Sequence, residues 1–402
     1  MQAVEKYPPA INVLTSMSYG GVKIYDHVHG DMTTRCNPSI RDHLQHLKEA
    51  SKGNVRARAA AYSEMRDFLL AYAADGAEAY HVAGGMSYCH ACKTQCPLID
   101  SRTAELDRSK SDRAYVGVNA GTCCEDFARY GSCSGFAGER MHEYVLFIAE
   151  LVLINPDWVF LEITDTCPPD LHQQAATALS MKMMSGIDRP NHKSFPNLRP
   201  RRFSFLWKPE VFDFHGSFAE YENITGRARR LTGNAYLFFG DYARQEYYRD
   251  FALTRNLHFD ADATLAVDDF FTVCELQRLK DHNDIRPMKE DAETQTYIAD
   301  MQQGPKYTSP GPCVPTLTKH SRLVSISDRG IKMWTPLEHL FSMGEAIKPG
   351  VGDPDYPCLF QDLLESGGLS PQEIVKMSGD AMHMASFGYF QLYCYSRLRT
   401  KD

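Results

Sequence analysis

The sequence predicts an α/β fold, and the order of its apolar segments carries that prediction. Apolar runs of the length of buried strands occur at Ile11 to Leu14, Ala114 to Asn119, Trp158 to Ile163 and Phe203 to Trp207. Between the second and third runs, the segment MHEYVLFIAELVLI has a broad apolar helical face and stops at Asn155-Pro156, as a helix should. Strand, loop, helix and strand therefore follow one another along the chain.

Further helices are predicted on both sides of this unit. Residues Ser39 to Ala74 contain two helical patterns with a break at Gly53-Asn54, and this piece resembles an insertion rather than a core layer. From Pro209 to Pro312 the pattern is irregular and rich in aromatic and charged residues, which indicates a second, less regular lobe. Helical patterns return at Pro336 to Met343 and at Ser370 to Leu398.

The composition is that of a globular protein. The 402 residues, of which 43% are hydrophobic, suffice for one large domain or two ordinary ones around a sizeable core. No run approaches the roughly 20 apolar residues of a membrane helix, so we expect a soluble intracellular protein with reduced cysteines. Because Lys+Arg 43 stand against Asp+Glu 51 and the net charge is -8, any nucleic-acid site must be a local basic patch.

The most informative window is VNAGTCCEDFARYG, which runs from Val118 to Gly131. A short apolar strand leads into a glycine and two adjacent cysteines, so the loop displays a thiol at the carboxyl end of a strand. Ligands of open α/β sheets bind at that edge, and a nearby helix start or cation lowers the pKa of a thiol. The alternative is that both cysteines are small core residues.

The next two strands carry polar groups at comparable positions. The strand WVFLEIT contains one acid, Glu162, near its carboxyl end. The segment NLRPRRFSFLW places Arg199 and Arg201 so that both side chains leave the same face of an extended chain, where they could hold one anion or one base. An exposed structural carboxylate is the competing interpretation of Glu162.

Taken in order, these segments resemble the motifs of DNA cytosine-5 methyltransferases. The proline-cysteine-glutamine loop of that family resembles Cys123, Cys124, Glu125, Phe127, Ala128 and Gly131. Its glutamate-asparagine-valine strand end resembles Glu162, Ile163 and Thr164, and its glutamine-x-arginine-x-arginine strand start resembles Asn197, Arg199 and Arg201. The sequence differs from the family pattern at Cys123, Glu125, Ile163 and, in a later motif, Asp380.

Three more motifs extend the resemblance towards the C-terminus. Residues Pro315 to Thr318 resemble the proline-threonine-leucine-threonine step that closes the family's target-recognition region. The segment WTPLEHLFSMG, from Trp334 to Gly344, resembles the helix that follows. The segment SGDAMHM, from Ser378 to Met384, resembles the final glycine-asparagine motif on the cofactor side. The resemblance rests on the order of the motifs, since each one alone is weak.

The resemblance implies a Rossmann-like methyltransferase sheet with a smaller irregular target-recognition lobe. It divides the chain into a partial cofactor-side segment at 1–35, a helical insertion with a cysteine cluster at 36–112 and a catalytic core at 113–208. A target-recognition region would follow at 209–312 and a C-terminal return to the catalytic domain at 313–402.

The resemblance also implies S-adenosylmethionine as the cofactor. His29, Gly30 and Asp31 resemble the family's glycine-aspartate step, whose acid contacts the adenine, and Asp380 belongs to the final motif. The family's phenylalanine-x-glycine-x-glycine loop has only a poor counterpart in Tyr19-Gly20-Gly21. We therefore expect a truncated or divergent cofactor end, because residues 1–30 are too few for the family's upstream elements.

In the chemistry that the resemblance implies, the Cys124 thiolate adds to carbon 6 of cytosine. Glu162 supports protonation at ring nitrogen 3, Arg199 and Arg201 hold the base and the thiol loop, and carbon 5 takes the methyl group. The target base must be flipped out of the duplex, which requires cationic contacts. The basic candidates are Arg189, Lys193 and Arg202, followed by a second cluster of Arg227, Arg229 and Arg230. A DNA substrate implies a nuclear protein.

A second site is predicted in the segment YCHACKTQCP. Cys89, Cys92 and Cys96 have the spacing C-x2-C-x3-C, and two cysteines three residues apart can hold one zinc ion. The fourth ligand is left open among His81, His90 and Cys36. Reduced structural thiols without metal are the alternative.

Three other functional hypotheses remain beside methylation of DNA. The chain could be a catalytically degenerate relative that binds nucleic acid or a protein without turnover, or it could methylate cytosine in RNA. A cysteine hydrolase would need a histidine base near Cys124, for which His142 is available inside a predicted helix.

Overall fold

The computed structural model describes residues 1–19, 22–99, 115–122, 125–128, 131–227, 231–285, 296–305, 311–345, 363 and 366–401. The chain forms two compact units. The first comprises Met1–Asp188, Pro200–Ile224 and Tyr389–Asp402, and the second comprises Arg189–Arg199 and Thr225–Gly388.

Two four-stranded sheets belong to the first unit. Its strands are β1 (Gln2–Val4), β2 (Ser18–Tyr19), β3 (Val22–Lys23), β4 (His27–His29), β5 (Met86–Cys89), β6 (Thr94–Pro97), β7 (Gly117–Gly121), β8 (Trp158–Thr164), β9 (Lys182–Asp188), β10 (Arg201–Trp207), β11 (Phe212–Phe214) and, near the C-terminus, β15 (Leu398–Thr400). The N-terminal sheet has the order β1-β4-β5-β6, and the central sheet has the order β7-β8-β10-β9.

Helices surround these strands in the first unit. They are α1 (Pro8–Ser16), α2 (Pro38–Ala50), α3 (Val55–Ala74), α4 (Ala77–Tyr80), α5 (Met141–Ile154), α6 (Asp170–Ala178) and α7 (Phe218–Thr225), and the last helix of the chain, α12 (Met384–Arg397), ends there. Strand β7 pairs parallel to β8 through the α5 crossover, whereas β10 is antiparallel to both of its neighbours. This parallel strand-helix-strand step confirms the predicted α/β class.

The central sheet has two chemically different faces. Val159, Leu161 and Ile163 point into a core that is also formed by α3 and α5. On the other face, Phe160 and Phe203 contact Phe390 of α12, with ring centroids 5.9 and 5.4 Å apart. Since alternate residues of a strand share a face, Glu162 and Arg201 belong to this second face.

Most of the predicted elements are confirmed, and one is wrong. The strands at 158–163 and 203–207, the helix that ends at Ile154 and the two helices of 39–74 all occur. Ile11 to Leu14 is not a strand but lies inside α1, because Pro8 and Pro9 supply the fixed backbone angle that starts a helix. Ala114 lies outside the described residues, and strand β9 was not predicted.

The second unit contains one antiparallel three-stranded sheet and several helices among its described residues. The sheet has the order β12 (Tyr297–Asp300), β13 (Leu323–Ser327) and β14 (Gly330–Met333). The helices are α8 (Asp241–Leu253), α9 (Val273–Ile285), α10 (Pro336–Ser342) and α11 (Pro371–Asp380). Aromatic residues of α8 and of the loop before α9 fill its core, among them Tyr248, Phe251 and Phe270.

Residues predicted as the irregular lobe, 209–312, thus contain regular helices. Both 225–312 and 313–388 belong to the second unit. Within the described part of the chain, no helix has the length and apolar character required to cross a bilayer.

Candidate functional site at the end of the central sheet

Glu162 and Arg201 form a buried ion pair near the carboxyl end of β8. The Arg201 Nε atom lies 2.9 Å from the Glu162 carboxylate, and both side chains are at least nine-tenths buried. The antiparallel register places Arg201 opposite Thr164 and Phe203 opposite Glu162, so the arginine reaches back along the sheet by two positions. Arg201 also donates to the Pro200 carbonyl at 2.9 Å. The expected convergence was of Cys124, Glu162 and Arg199, whereas the arginine paired with Glu162 is Arg201.

The loop that carries the predicted nucleophile leaves the sheet beside Glu162. Gly121 is paired with Glu162 in the parallel ladder, and the next residue, Thr122, donates its backbone N–H to the Glu162 carbonyl at 2.9 Å. The Thr122 hydroxyl donates to the same carbonyl at 3.2 Å. Cys123 and Cys124 follow directly in the sequence and lie outside the described residues.

Close backbone contacts fix the chain after the two cysteines. A Cβ atom on Gly131 would lie 1.8 Å from the Glu125 carbonyl oxygen, so only glycine fits there. The Asp126 carboxylate accepts hydrogen bonds from the Ser132 hydroxyl at 3.0 Å and from the Arg140 N–H at 2.9 Å. The loop is therefore held at both ends, by the sheet at Thr122 and by this turn.

Phe127 and Ile163 occupy the core rather than the site. The Phe127 side chain is buried in the cluster under the sheet, while its carbonyl accepts a hydrogen bond from the Thr166 hydroxyl at 2.5 Å. Ile163 is fully buried on the face opposite to Glu162. The isoleucine found where the resembled family has asparagine thus contributes to packing.

Arg199 has a different environment from Arg201. It belongs to the second unit, is 3% exposed and donates to the Leu317 carbonyl at 3.1 Å. It also donates to the carbonyls of Gly379 and Ala381 at 3.0 and 2.7 Å. The expectation that Arg199 and Arg201 grip one ligand together is not supported by these contacts, since the Arg199 guanidinium holds three backbone carbonyls.

Arg199 joins three of the sequence motifs within the second unit. A Cβ atom on Gly379 would lie 2.3 Å from the backbone of Thr318, so this glycine allows the segment SGDAMHM to approach the segment at 315–318. The Asn197 amide donates to the Ser342 carbonyl at 2.7 Å, at the end of α10. Motifs far apart in the sequence are thus packed around the residues that precede β10.

The helix at Trp334 to Gly344 begins with a capping box, as its sequence indicates. The Thr335 hydroxyl accepts from the Glu338 N–H, and the Glu338 carboxylate accepts from the Thr335 N–H at 2.9 Å. Glu338 also forms a buried ion pair with Arg244, whose Nη2 atom lies 2.8 Å from it. Glu338 therefore stabilises the fold of the second unit.

The two predicted cofactor residues have partners within the protein. The Asp31 carboxylate accepts from the N–H and the hydroxyl of Thr33, both at 2.8 Å, and so caps a short 3-10 helix. Asp380, at the end of α11, lies 3.7 Å from the Lys319 ammonium group. Gly20 and Gly21, the weak counterpart of the family's glycine loop, lie outside the described residues.

The predicted basic residues that the structure describes differ in burial. Arg189 and Arg227 are exposed, but Lys193 is 6% exposed and cannot serve as a surface contact. Arg202 is half-buried and donates to the Cys167 carbonyl at 3.0 Å. Arg229 and Arg230 lie outside the described residues. These residues differ in burial, which a run of charged residues in the sequence does not reveal.

Burial lowers the pKa of several histidines, among them His172 in the first unit and His383 in the second. Burial lowers the pKa of His172 to about 3, with a smaller effect of Arg202, and its Nδ1 atom lies 2.7 Å from the Ser204 hydroxyl. Burial likewise lowers the pKa of His383 to about 3, assisted by Arg199 and Lys193. The histidine considered for a hydrolase, His142, lies in α5 with its Nδ1 atom 2.8 Å from the Glu139 carbonyl oxygen.

The three clustered cysteines lie beside a histidine that the sequence analysis missed. The ligand atoms of His27, Cys89, Cys92 and Cys96 all lie within 4.8 Å of one another. The proposed fourth ligands His81, His90 and Cys36 are not part of this group. His27 precedes Cys89 by 62 residues, and only its place in the strand HVH, next to a cysteine hairpin, could have indicated it.

Comparisons with known proteins give structural neighbours of low similarity. No protein-family model matches the chain, and no curated protein sequence matches it. The Schizosaccharomyces pombe Dnmt2 methyltransferase is 10% identical with a TM-score of 0.41, and the alignment covers 98% of each chain. The Entamoeba histolytica methyltransferase EhMeth is also 10% identical over 98% of each chain, with a TM-score of 0.39.

A third neighbour covers less of the chain. It is a protein described as a DNA modification methyltransferase of an E. coli prophage, 13% identical over 72% of this chain and 82% of its own, with a TM-score of 0.38. At these values the likenesses carry no functional argument.

Proposed function

We propose that this protein acts on cytosine in DNA as a cytosine-5 methyltransferase does, through a covalent adduct of Cys124. The observation that carries the proposal is the buried Glu162–Arg201 ion pair at the strand end from which the cysteine loop departs. Two residues of chain span at most about 7 Å, so Cys124 stays close to Thr122, which is bonded to Glu162. A thiol and an oriented carboxyl group are the two groups that addition to a pyrimidine requires.

In the proposed reaction, the Cys124 sulfur forms a bond to carbon 6 of the flipped base. The electron pair of the C5–C6 double bond moves towards carbon 5, and a proton shared with the Glu162 carboxyl at ring nitrogen 3 offsets the developing negative charge. Carbon 5 then takes up an electrophile, which is a solvent proton in the exchange reaction, and becomes tetrahedral. Loss of its original hydrogen to a base, together with departure of the thiolate from carbon 6, restores the C5–C6 double bond. Arg201 acts as a positioning residue, because its guanidinium fixes the Glu162 carboxyl.

S-adenosylmethionine would supply the methyl group that carbon 5 takes up. Of the residues assigned to it by resemblance, Asp31 caps its own 3-10 helix through Oδ1 and the half-exposed Asp380 lies 3.7 Å from the Lys319 ammonium group, so neither marks a cofactor pocket. The proposal concerns the pyrimidine side of the reaction, which can be tested without a methyl donor.

DNA contacts are proposed for the exposed arginines, Arg189 and Arg227, with Arg229 and Arg230 next to the latter in sequence. Contacts to phosphates would offset the few kcal/mol that base flipping costs. A DNA substrate would place the protein in the nucleus.

Release of tritium from DNA that carries [5-³H]cytosine tests the proposal, because addition at carbon 6 labilises the hydrogen at carbon 5. We expect release with the native protein, including without S-adenosylmethionine, and loss of release in Cys124→Ser. Cys123→Ser and Cys133→Ser serve as controls. Equal release by the native protein and Cys124→Ser would refute the mechanism, and RNA oligonucleotides run in parallel identify the nucleic acid.

The second candidate function is that of a methyltransferase-like protein that binds nucleic acid without turnover. The observation that favours it is the engagement of Asp31 and Asp380 with protein partners. Calorimetric titration with S-adenosylmethionine distinguishes the two candidates. A protein without turnover gives no heat of binding and no tritium release, but it still retards labelled DNA in a gel.

A further inference from the structure

We propose that His27, Cys89, Cys92 and Cys96 bind one structural zinc ion in the N-terminal sheet. Strand β4 carries His27, the hairpin of β5 and β6 carries the three cysteines, and the four ligand atoms lie within 4.8 Å of one another. Cys89 and Cys96 are buried and Cys92 is exposed, and all three are free thiols. Three thiolates and one imidazole form a complete ligand set for Zn²⁺.

The measured distances agree with the edges of a zinc tetrahedron. Zn–S bonds of about 2.3 Å and Zn–N bonds of about 2.0–2.1 Å give S···N edges of about 3.5 Å and S···S edges of about 3.8 Å. The His27 Nδ1 atom lies 3.5 Å from the Cys92 sulfur and 3.8 Å from the Cys89 sulfur. The side chains therefore need only small adjustments to close around an ion.

The backbone around Cys89 is arranged to support a thiolate. The N–H groups of Cys92 and Val28 point at the Cys89 sulfur, at 3.3 and 3.4 Å. Hydrogen bonds to a sulfur stabilise its charged form and orient it towards a metal. Lys93 has a φ of 59°, in the left-handed region, and its N–H donates to the Cys89 carbonyl at 2.8 Å. This turn brings Cys92 back over Cys89.

The short ladder between β4 and β5 indicates a structural role for the metal ion. Their ladder consists of one residue pair, His29 with Cys89. A metal ion bound by His27 and the hairpin would join the two strands and close a segment of 62 residues that contains α2 and α3. With four protein ligands the ion has no open position for a substrate. Sulfur and imidazole ligands select zinc over magnesium or calcium.

Metal content of the full chain tests the proposal independently of methylation. The protein is expressed with added zinc, purified in the presence of a weak chelator and analysed by plasma mass spectrometry. We expect about one zinc per chain in the native protein and in the control Cys274→Ser, which removes an exposed cysteine of α9. Cys92→Ser and His27→Ala should lose most of the zinc.

Two further measurements keep the result interpretable where a variant folds poorly. His27→Cys retains a four-ligand site and should restore zinc binding, and the native protein loaded with Co²⁺ should show the intense visible absorption of tetrahedral thiolate coordination. Zinc well below one equivalent without cobalt absorption, a disulfide among the three cysteines, or iron in place of zinc would overturn the proposal. So would loss of zinc in His90→Ala while His27→Ala retains it.

Discussion

Arg199 and Arg201 lie two residues apart in one sequence motif, yet they belong to different compact units and have different partners. Arg201 holds the carboxylate of Glu162, whereas Arg199 holds three backbone carbonyls of the second unit. A carboxylate can exchange a proton with a substrate, whereas buried backbone carbonyls only need hydrogen-bond donors. One arginine of the motif thus pairs with the acid of the candidate site, and the other connects segments of the second unit.

The largest effect is expected from Glu162→Gln. The amide retains an acceptor for Arg201 but cannot share a proton with the pyrimidine, so tritium release should fall by roughly 10²- to 10⁴-fold. The melting temperature should also fall, because the buried Arg201 guanidinium loses its counter-charge, so release is measured per folded molecule. The control is Glu139→Gln, an exposed glutamate paired with Arg58, which should retain full release. Undiminished release in Glu162→Gln would remove the carboxyl group from the mechanism.

The two arginines should respond differently to substitution by lysine. In Arg199→Lys an ammonium group replaces the planar guanidinium group that donates to three carbonyls. We therefore expect the free energy of unfolding to fall by about 2–4 kcal/mol. Arg201→Lys keeps a charge beside Glu162 and should reduce tritium release by about tenfold through poorer orientation. Urea unfolding and release per folded molecule separate these effects. A loss of stability in Arg201→Lys together with a loss of tritium release in Arg199→Lys would contradict this division of roles.

Sequence alone was sufficient for the elements whose pattern is strong. The apolar strand at Trp158, the helix ending at Ile154 and the strand ending at Trp207 were predicted because buried elements of an α/β fold have long apolar runs. Strand β9, with the sequence KMMSGID, has neither an apolar run nor an alternating pattern. It is a strand because β10 supplies its hydrogen-bond partners, which is a tertiary effect.

The site was predictable in part for a related reason. The parallel pairing of β7 with β8 places Gly121 and Thr122 beside Glu162, and this arrangement could be inferred from the two strand ends. Arg201 and not Arg199 faces Glu162 because β10 begins at Arg201. The sequence does not indicate that this residue starts the strand. His27 was missed because the spacing of metal ligands is informative only within a local segment.

A smaller effect is expected in the second unit from Gly379→Ala. The added Cβ would lie 2.3 Å from the Thr318 backbone, so the segments held by Arg199 must separate, at a cost of about 1–3 kcal/mol. The matched control is Gly388→Ala in α12, where no atom lies within 4 Å of the added Cβ. That variant should gain about 0.5–1 kcal/mol. Urea unfolding measures both variants, and equal effects would argue against the close approach at Gly379.

The smallest effect is a pH dependence shared by the two units. His172 and His383 have pKa values near 3 in the folded protein, below the ordinary value of 6.5. Because the unfolded chain binds these protons more tightly, their contribution to stability is complete above about pH 6.5 and declines as the pH falls towards 3. Each histidine should contribute a decline of up to about 2 kcal/mol between pH 7 and pH 5.

Unfolding of His172→Gln and His383→Gln as a function of pH checks this expectation. Each variant should have a flatter pH profile than the native protein between pH 6.5 and pH 4, irrespective of its absolute stability. The exposed His258 provides the control, since His258→Gln should leave the profile unchanged. A profile that stays the same in both buried variants would show that neither histidine is held uncharged by the fold.

The most direct test of the central claim is to trap the adduct and locate it. DNA that carries 2-pyrimidinone in place of cytosine accepts a thiol at carbon 6 without needing a methyl donor. After incubation and proteolysis, mass spectrometry should find the base linked to Cys124 in the native protein, with much less adduct in Glu162→Gln and an undiminished yield per folded molecule in Arg199→Lys. An adduct on Cys123 instead, or a yield in Glu162→Gln equal to that of the native protein, would contradict the account.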